Sequence, residues 1–291
     1  MELNELLPKS FEKWLKTLGY AESTVYLSVR YVNDFFFYLK YLDITHLEQI
    51  QPTAINSYHK YLQTRPQKKR PGGLLQNTIV GNINALKRFS RYLQETGRPS
   101  FEIIVKAKPD KATEKTILTQ EEIKKLYKAC DNDVYGIRDR AILSIYYGCG
   151  LRRGEGASLD VKDIMLKEKL VFVRSGKGYK ERYVPMTEAV KEDLENYLYQ
   201  ARETLLNGLN PNQESFFVSY RATRMCGGAL LERLHGLVNK AQINKSVGIH
   251  SLRHSIATHL LQSGLTLEEV SQFLGHSSLE STQIYTHLAH E

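Results

Sequence analysis

The sequence predicts a mainly α chain with a small β-hairpin: a four-helix N-terminal domain over 1–103, a linker over 104–118, and an α+β C-terminal domain over 119–291. Three observations predict it. Apolar residues recur at spacings of three and four through most of the chain. The stretch 104–118 is polar and basic, contains Pro109 and has no periodicity. Two β-prone runs flank a glycine-containing turn.

In the first domain, Asn4 to Leu18 places Leu7, Phe11, Trp14, Leu15 and Leu18 on one helical face, and Gly19 ends the helix. A second helix starts near Ser23, with Val25, Val29, Val32, Phe36 and Leu39 in register. The third starts after Pro52, a favourable first-turn residue, and runs to about Gln63. A loop with two prolines, two glycines and the cations Arg65, Lys68, Lys69 and Arg70 follows. The fourth helix spans about Leu75 to Glu95, with Ile79, Ile83, Leu86, Phe89 and Leu93 as its stripe.

The second domain opens on a capping box, Thr119 with Glu122. A buried helix is expected from about Ile137 to Gly148. The strands are Leu170 to Arg174 and Arg182 to Pro185, joined through Gly176-Lys177-Gly178. Helices follow over Thr187 to about Leu206, Gly228 to about Gln242, His250 to Gln262 and Thr266 to Leu274, with a short segment near Ser278 to His287.

Charge narrows the function. The chain carries 40 Lys and Arg against 32 Asp and Glu, a net +8. Residues 1–108 hold 16 cations and 9 anions, a net +7. A basic first third suggests a polyanionic partner, most often nucleic acid. No apolar run reaches membrane-spanning length, and Met1 to Pro8 lacks the order of a signal peptide. Cys130, Cys149 and Cys226 are odd in number and scattered, which excludes a disulfide scaffold and gives no metal spacing. A cytoplasmic location is expected.

Several local patterns carry chemistry. In Gly150-Leu151-Arg152-Arg153-Gly154-Glu155 a cation follows a buried helix, and Glu155 can orient a guanidinium. Taken alone, two solvated loop arginines are the commoner reading. Lys177 stands at the tip of a ribbon that a DNA groove can admit, although hairpin lysines are usually solvated. His250 and Arg253 share a helical face, with His254 beside them. This pair lacks the Glu of a zinc protease, since Ser251 stands there, and a core histidine, His254 first, is the plain alternative. His276 follows a helix end, and Tyr285 is one of 18 tyrosines.

Arg152, Lys177, His250, Arg253, His276 and Tyr285, in this order and these contexts, resemble the tyrosine recombinase (phage integrase) family. The resemblance covers the whole chain. The runs from Gly248 to Leu261 and from Leu274 to His287 are especially close to the Xer-type subgroup. It implies a helical core-binding domain, a linker and a catalytic domain. It further implies a site-specific recombinase that cuts and rejoins DNA through a 3′-phosphotyrosyl intermediate, without metal, ATP or other cofactor. Tyr285 would be the nucleophile. Arg152, Arg253 and His276 would stabilise the phosphorane, Lys177 would protonate the leaving oxygen, and His250 would accept the tyrosine proton, with Glu155 in support. The implied partners are double-stranded DNA sites and three further subunits, in a homotetramer or with a related recombinase; no membrane is involved. Arg65, Lys68, Lys69, Arg70 and Arg88 are the candidate DNA-binding cations. Ser28, Asn33, Asn77, Asn82 and Arg88 are candidates for reading bases. A type IB topoisomerase and a catalytically silent DNA-binding regulator are the alternatives. Gly156 stands where the family usually has an apolar residue, and the expectation is a local difference in the helix start with the chemistry intact.

Overall fold

The computed structural model describes residues 2–3, 6–66, 73–109, 115–174, 181–210 and 212–275. The chain divides into two compact units, Met1–Thr113 and Glu114–Glu291. It is mainly helical, with a three-stranded sheet.

The first unit holds α1 (Leu6–Thr17), α2 (Glu22–Tyr41), α3 (Pro52–Thr64) and α4 (Gln76–Glu95). The whole predicted stripe of α4 is buried. On α1 the stripe is narrower than predicted: Leu18 lies beyond the helix and is 53% exposed. Aromatic packing dominates this core, as where Phe11 meets Phe89 edge-on at 5.2 Å. Tyr58 and Asn82 are buried together; the Tyr58 hydroxyl donates to Asn82 Oδ1 at 3.2 Å, and Asn82 Nδ2 donates to the Thr78 carbonyl at 2.8 Å. Residues 101–109 have no regular structure, and Ile103, Val105 and Ala107 pack against this core.

The second unit contains α5 (Gln120–Lys128), α6 (Val134–Leu143), α7 (Arg153–Ser158), β1 (Ile164–Met165), β2 (Leu170–Val173), β3 (Arg182–Pro185), α8 (Glu188–Asn196), α9 (Arg202–Leu206), α10 (Gly227–Lys240), α11 (Ile249–Gln262) and α12 (Leu267–Leu274). The Thr119 and Glu122 box forms as expected: the Thr119 N–H donates to Glu122 Oε2 at 2.7 Å. α6 starts three residues before the expected Ile137, because Asp133 caps it by accepting from the Gly136 N–H at 2.7 Å. A π turn, Ser144–Gly148, continues α6, and another, Tyr197–Ala201, joins α8 to α9. Ile142, Ile145 and Tyr146 are fully buried, so this helix forms the middle of the core. Among the described residues no helix is long and apolar enough to cross a membrane.

The sheet is antiparallel in the order β1-β2-β3. The two-residue β1 carries too few residues to show alternation, and the sequence reading missed it. Val173 pairs with Arg182 and Val171 with Val184. With a side-chain period of two, Val171, Val173, Arg182 and Val184 share the inner face, while Tyr183 is 58% exposed. Arg174, at the end of β2, reaches the buried carboxylates Asp160 and Asp163, and Arg224 joins Asp160 at 2.5 Å. These ion pairs fix the root of the hairpin. Its turn, 175–180, lies outside the described residues.

Gly156 has a packing reason. A Cβ there would fall 2.6 Å from the Tyr146 ring, whose hydroxyl donates to the Arg153 carbonyl at 3.0 Å. Tyr146 fills the space an apolar side chain would take. Gly156→Ala should therefore destabilise the protein by about 1–3 kcal/mol through overpacking, read as a lower denaturant midpoint at unchanged m-value.

Candidate active site

Arg152 caps α7 at its N-terminus, where extended backbone (φ −70°, ψ 154°) turns into helix. Its backbone N–H donates to Glu155 Oε2 at 2.7 Å and its Nη1 to Glu155 Oε1 at 2.9 Å. Its Nη2 donates to the Gly275 carbonyl at 3.1 Å. One residue along, the Leu274 carbonyl accepts from Arg253 Nη2 at 2.7 Å, and Gly150 accepts from Arg253 Nη1. Two arginines 101 positions apart thus converge on consecutive carbonyls at the end of α12, directly before His276.

Two glycines make this convergence possible. Gly275 ends α12 in the left-handed region at φ 64°, which turns its carbonyl away from the helix ladder. Gly150, at φ 61°, turns the chain from the π turn into α7, and a Cβ there would touch Leu274 and Phe273. Arg253 is 3% exposed and rests on α11. A buried guanidinium needs acceptors, and two backbone carbonyls are among those it finds here.

Glu155 is the anionic centre. Arg182 Nη1 and Nη2 reach its two oxygens at 3.0 and 2.9 Å, in addition to the two bonds from Arg152. Burial alone would raise its pKa; the hydrogen bonds from Arg182 and the Arg152 N–H outweigh that and hold it at about 2. Sequence reasoning missed Arg182. Its identity follows from strand register, which no local pattern of cations announces.

His250 lies one residue into α11, on the exposed side. Its pKa is lowered, first by desolvation and then by the positive charges of Arg153, Arg253 and Arg152. The neutral imidazole is therefore favoured. The buried histidine of α11 is not His254 but His259, 8% exposed, with Nδ1 2.9 Å from the Tyr147 hydroxyl. His254 is half-buried. Lys177, His276 and Tyr285 lie outside the described residues. No cluster of metal-ligating side chains occurs among the described residues.

The other candidates are dispersed. Lys68, Lys69 and Arg70 also lie outside the described residues. Arg65 Nη1 is 3.4 Å from Asp34, with its guanidinium 6.0 Å from the Tyr61 ring. Arg88 is half-buried and donates to the Ser28 hydroxyl at 3.0 Å. Ser28 and Asn82 are each 1% exposed, which removes both from the base-reading candidates. Their side chains satisfy core donors and acceptors instead. Asn33 and Asn77 are exposed.

Convergent guanidiniums beside a neutral imidazole suit a phosphodiester, whose non-bridging oxygens carry charge into the transition state. A sequence model of the phage integrase family matches residues 116–291. The tyrosine recombinase XerC of Bacillus subtilis is 32% identical over 94% of this chain and 88% of its own length. Among solved structures, the XerH site-specific recombinase bound to its difH substrate is 24% identical, with a TM-score of 0.67 over 91% of this chain and 75% of its own. A lambda integrase tetramer bound to a Holliday junction is 17% identical, with a TM-score of 0.69 over 96% of this chain and 76% of its own. The chain belongs to the phage integrase family, as a tyrosine recombinase of the Xer type.

The depressed Glu155 pKa links the site to folding. Between the ordinary carboxylate value of 4.5 and about 2, the unfolded chain binds the proton and the folded one does not. Stability from this group is complete above that window and falls with pH through it. Denaturation midpoints of the parent should drop across the window more steeply than those of Glu155→Gln, which has no carboxylate to titrate.

Proposed function

We propose that the protein cuts and rejoins DNA at specific sites with Tyr285 as nucleophile. The Tyr285 oxygen bonds to the scissile phosphorus as the bond to the 5′ oxygen breaks, leaving a 3′-phosphotyrosyl link and a free 5′-hydroxyl. His250, whose neutral form is favoured by partial burial and then by its cationic neighbours, accepts the phenolic proton. Arg152, Arg253 and His276 stabilise the charge on the non-bridging oxygens, and Lys177 gives its proton to the departing oxygen. A 5′-hydroxyl from the second duplex reverses the step and restores each group. The phosphotyrosyl bond conserves the energy, so rejoining draws on neither ATP nor a metal.

The convergence of Arg152 and Arg253 on the Leu274 and Gly275 carbonyls carries this reading. Two fixed guanidiniums at one place serve a phosphate whose charge increases as it reacts, and they stand next in sequence to His276. The 1–103 domain would bind DNA, with Lys68, Lys69 and Arg70 on phosphates, which position the duplex without reading it. Exchange between two duplexes calls for four cleavages and hence four subunits, as in the lambda integrase tetramer to which the fold is similar. The proposed location is the cytoplasm, where a DNA substrate is reached.

The test begins with a binding site selected from a randomised duplex pool, rebuilt with a nick that traps the covalent product. The parent should form an adduct. Tyr285→Phe should bind as tightly and form none; a cross-linked Phe variant would move the nucleophile to another residue.

The pH profile tests His250. Because its pKa is lowered, the neutral base persists to more acidic pH, and the acid limb of the cleavage rate should lie below the ordinary histidine value. Arg153→Gln removes a positive neighbour and should move that limb upward. A limb that stays in place would take Arg153, or His250, out of the proton transfer.

A further inference from the structure

We propose that Arg182 is a positioning residue for strand cleavage, acting through Glu155 to set the orientation of Arg152. The inference rests on the reading that Arg152 binds the scissile phosphate. Glu155 offers two oxygens, and each serves both arginines. Oε1 accepts from Arg152 Nη1 and Arg182 Nη1; Oε2 accepts from the Arg152 backbone N–H and Arg182 Nη2. The side chains of Arg182 and Glu155 are 11% and 12% exposed, so water contributes little to the arrangement.

Three features give Arg182 this task. The β2–β3 register turns it to the inner face with Val184, whereas Tyr183 points outward. Its side chain lies against Gly275, where an added Cβ would be 2.5 Å from its Cδ, so it also packs under the residue whose carbonyl holds Arg152 Nη2. Its Nε is buried with no hydrogen-bond partner among the described residues, so the two Nη groups aimed at Glu155 account for its polar contacts. Without Arg182, Glu155 keeps only Arg152 as a near guanidinium and can turn toward it. Arg152 would then be drawn into a two-pronged pair with its own helix-capping carboxylate, away from the orientation that Gly275 and Glu155 now share.

The experiment uses the full chain and the nicked, selected duplex. Arg182→Gln should fold and bind the duplex as the parent does, yet form the covalent adduct about 10²-fold more slowly, the scale of a misplaced catalytic group. Arg182→Lys, a point charge without the fork, should fall between the two and carry the comparison if the Gln variant does not fold. Adding Arg182→Gln to Glu155→Gln should cost nothing further, because both act on one link. A new acid limb should also appear in Arg182→Gln as Glu155 regains protons; the other groups around it are Arg152 at the cap of α7, Tyr146 on the π turn and His250 on α11. A duplex with sulfur in place of the 5′ bridging oxygen needs no proton on its leaving group, and the Arg182→Gln defect should persist with it. Losses that multiply in the double variant, an unchanged rate in Arg182→Gln, or full rescue by the sulfur substrate would overturn the proposal. Rescue would mean that Arg182 serves the hairpin and its Lys177. Parent-like cleavage by Arg152→Ala would overturn the reading of the site itself, which separates the two failures.

Discussion

The catalytic half of this protein is organised around a buried carboxylate. Glu155 carries a negative charge in a place that disfavours it, and it is kept there by four donors from two arginines. An unpaired charge in that position would cost several kcal/mol, so the two arginines and the carboxylate are obligatory to one another. The consequence is geometric. One ion cluster ties the start of α7, the first residue of β3 and the turn after α12, three segments far apart in sequence.

The second anchor is the backbone. Arg152 is shared between the Glu155 carboxylate and a backbone carbonyl, and Arg253 donates to two backbone carbonyls. The three carbonyls are those of Gly150, Leu274 and Gly275. Carbonyls orient donors without adding a compensating negative charge. The left-handed glycines at 150 and 275 place those carbonyls, and Arg182 takes the volume a side chain at 275 would need.

The hairpin is braced in a similar way on its other side. Arg174 and Arg224 cross-link the buried Asp160 and Asp163. A strand pair of four residues each has little core of its own, and β2 and β3 are secured by ion pairs at Arg174 and Arg182, the residues on either side of the Lys177 turn. One of these two roots, Arg182, thus belongs to the same ion cluster as Arg152.

The sequence by itself determined the helices, the hairpin and the family. Apolar spacing marks α2, α3 and α4 within a residue or two, and the boxes at Thr119 and Thr266 form because their partners lie within one turn. Arg152, His250 and Arg253 were legible through the ordered set they belong to, and Glu155 through its place three residues after Arg152. The tertiary structure decided what depends on partners distant along the chain. Local pattern does not separate Asn82 and Ser28, buried on core donors and acceptors, from the exposed Asn33 and Asn77 on the same two helices. It does not separate the buried His259 from His254, or show that Tyr146 makes Gly156 necessary. Arg182 was invisible for the same reason: its meaning comes from strand register and from a carboxylate 27 residues away. Periodicity and capping are short-range effects, written in neighbouring residues; charge pairing in a buried site is set by which distant surfaces packing brings together.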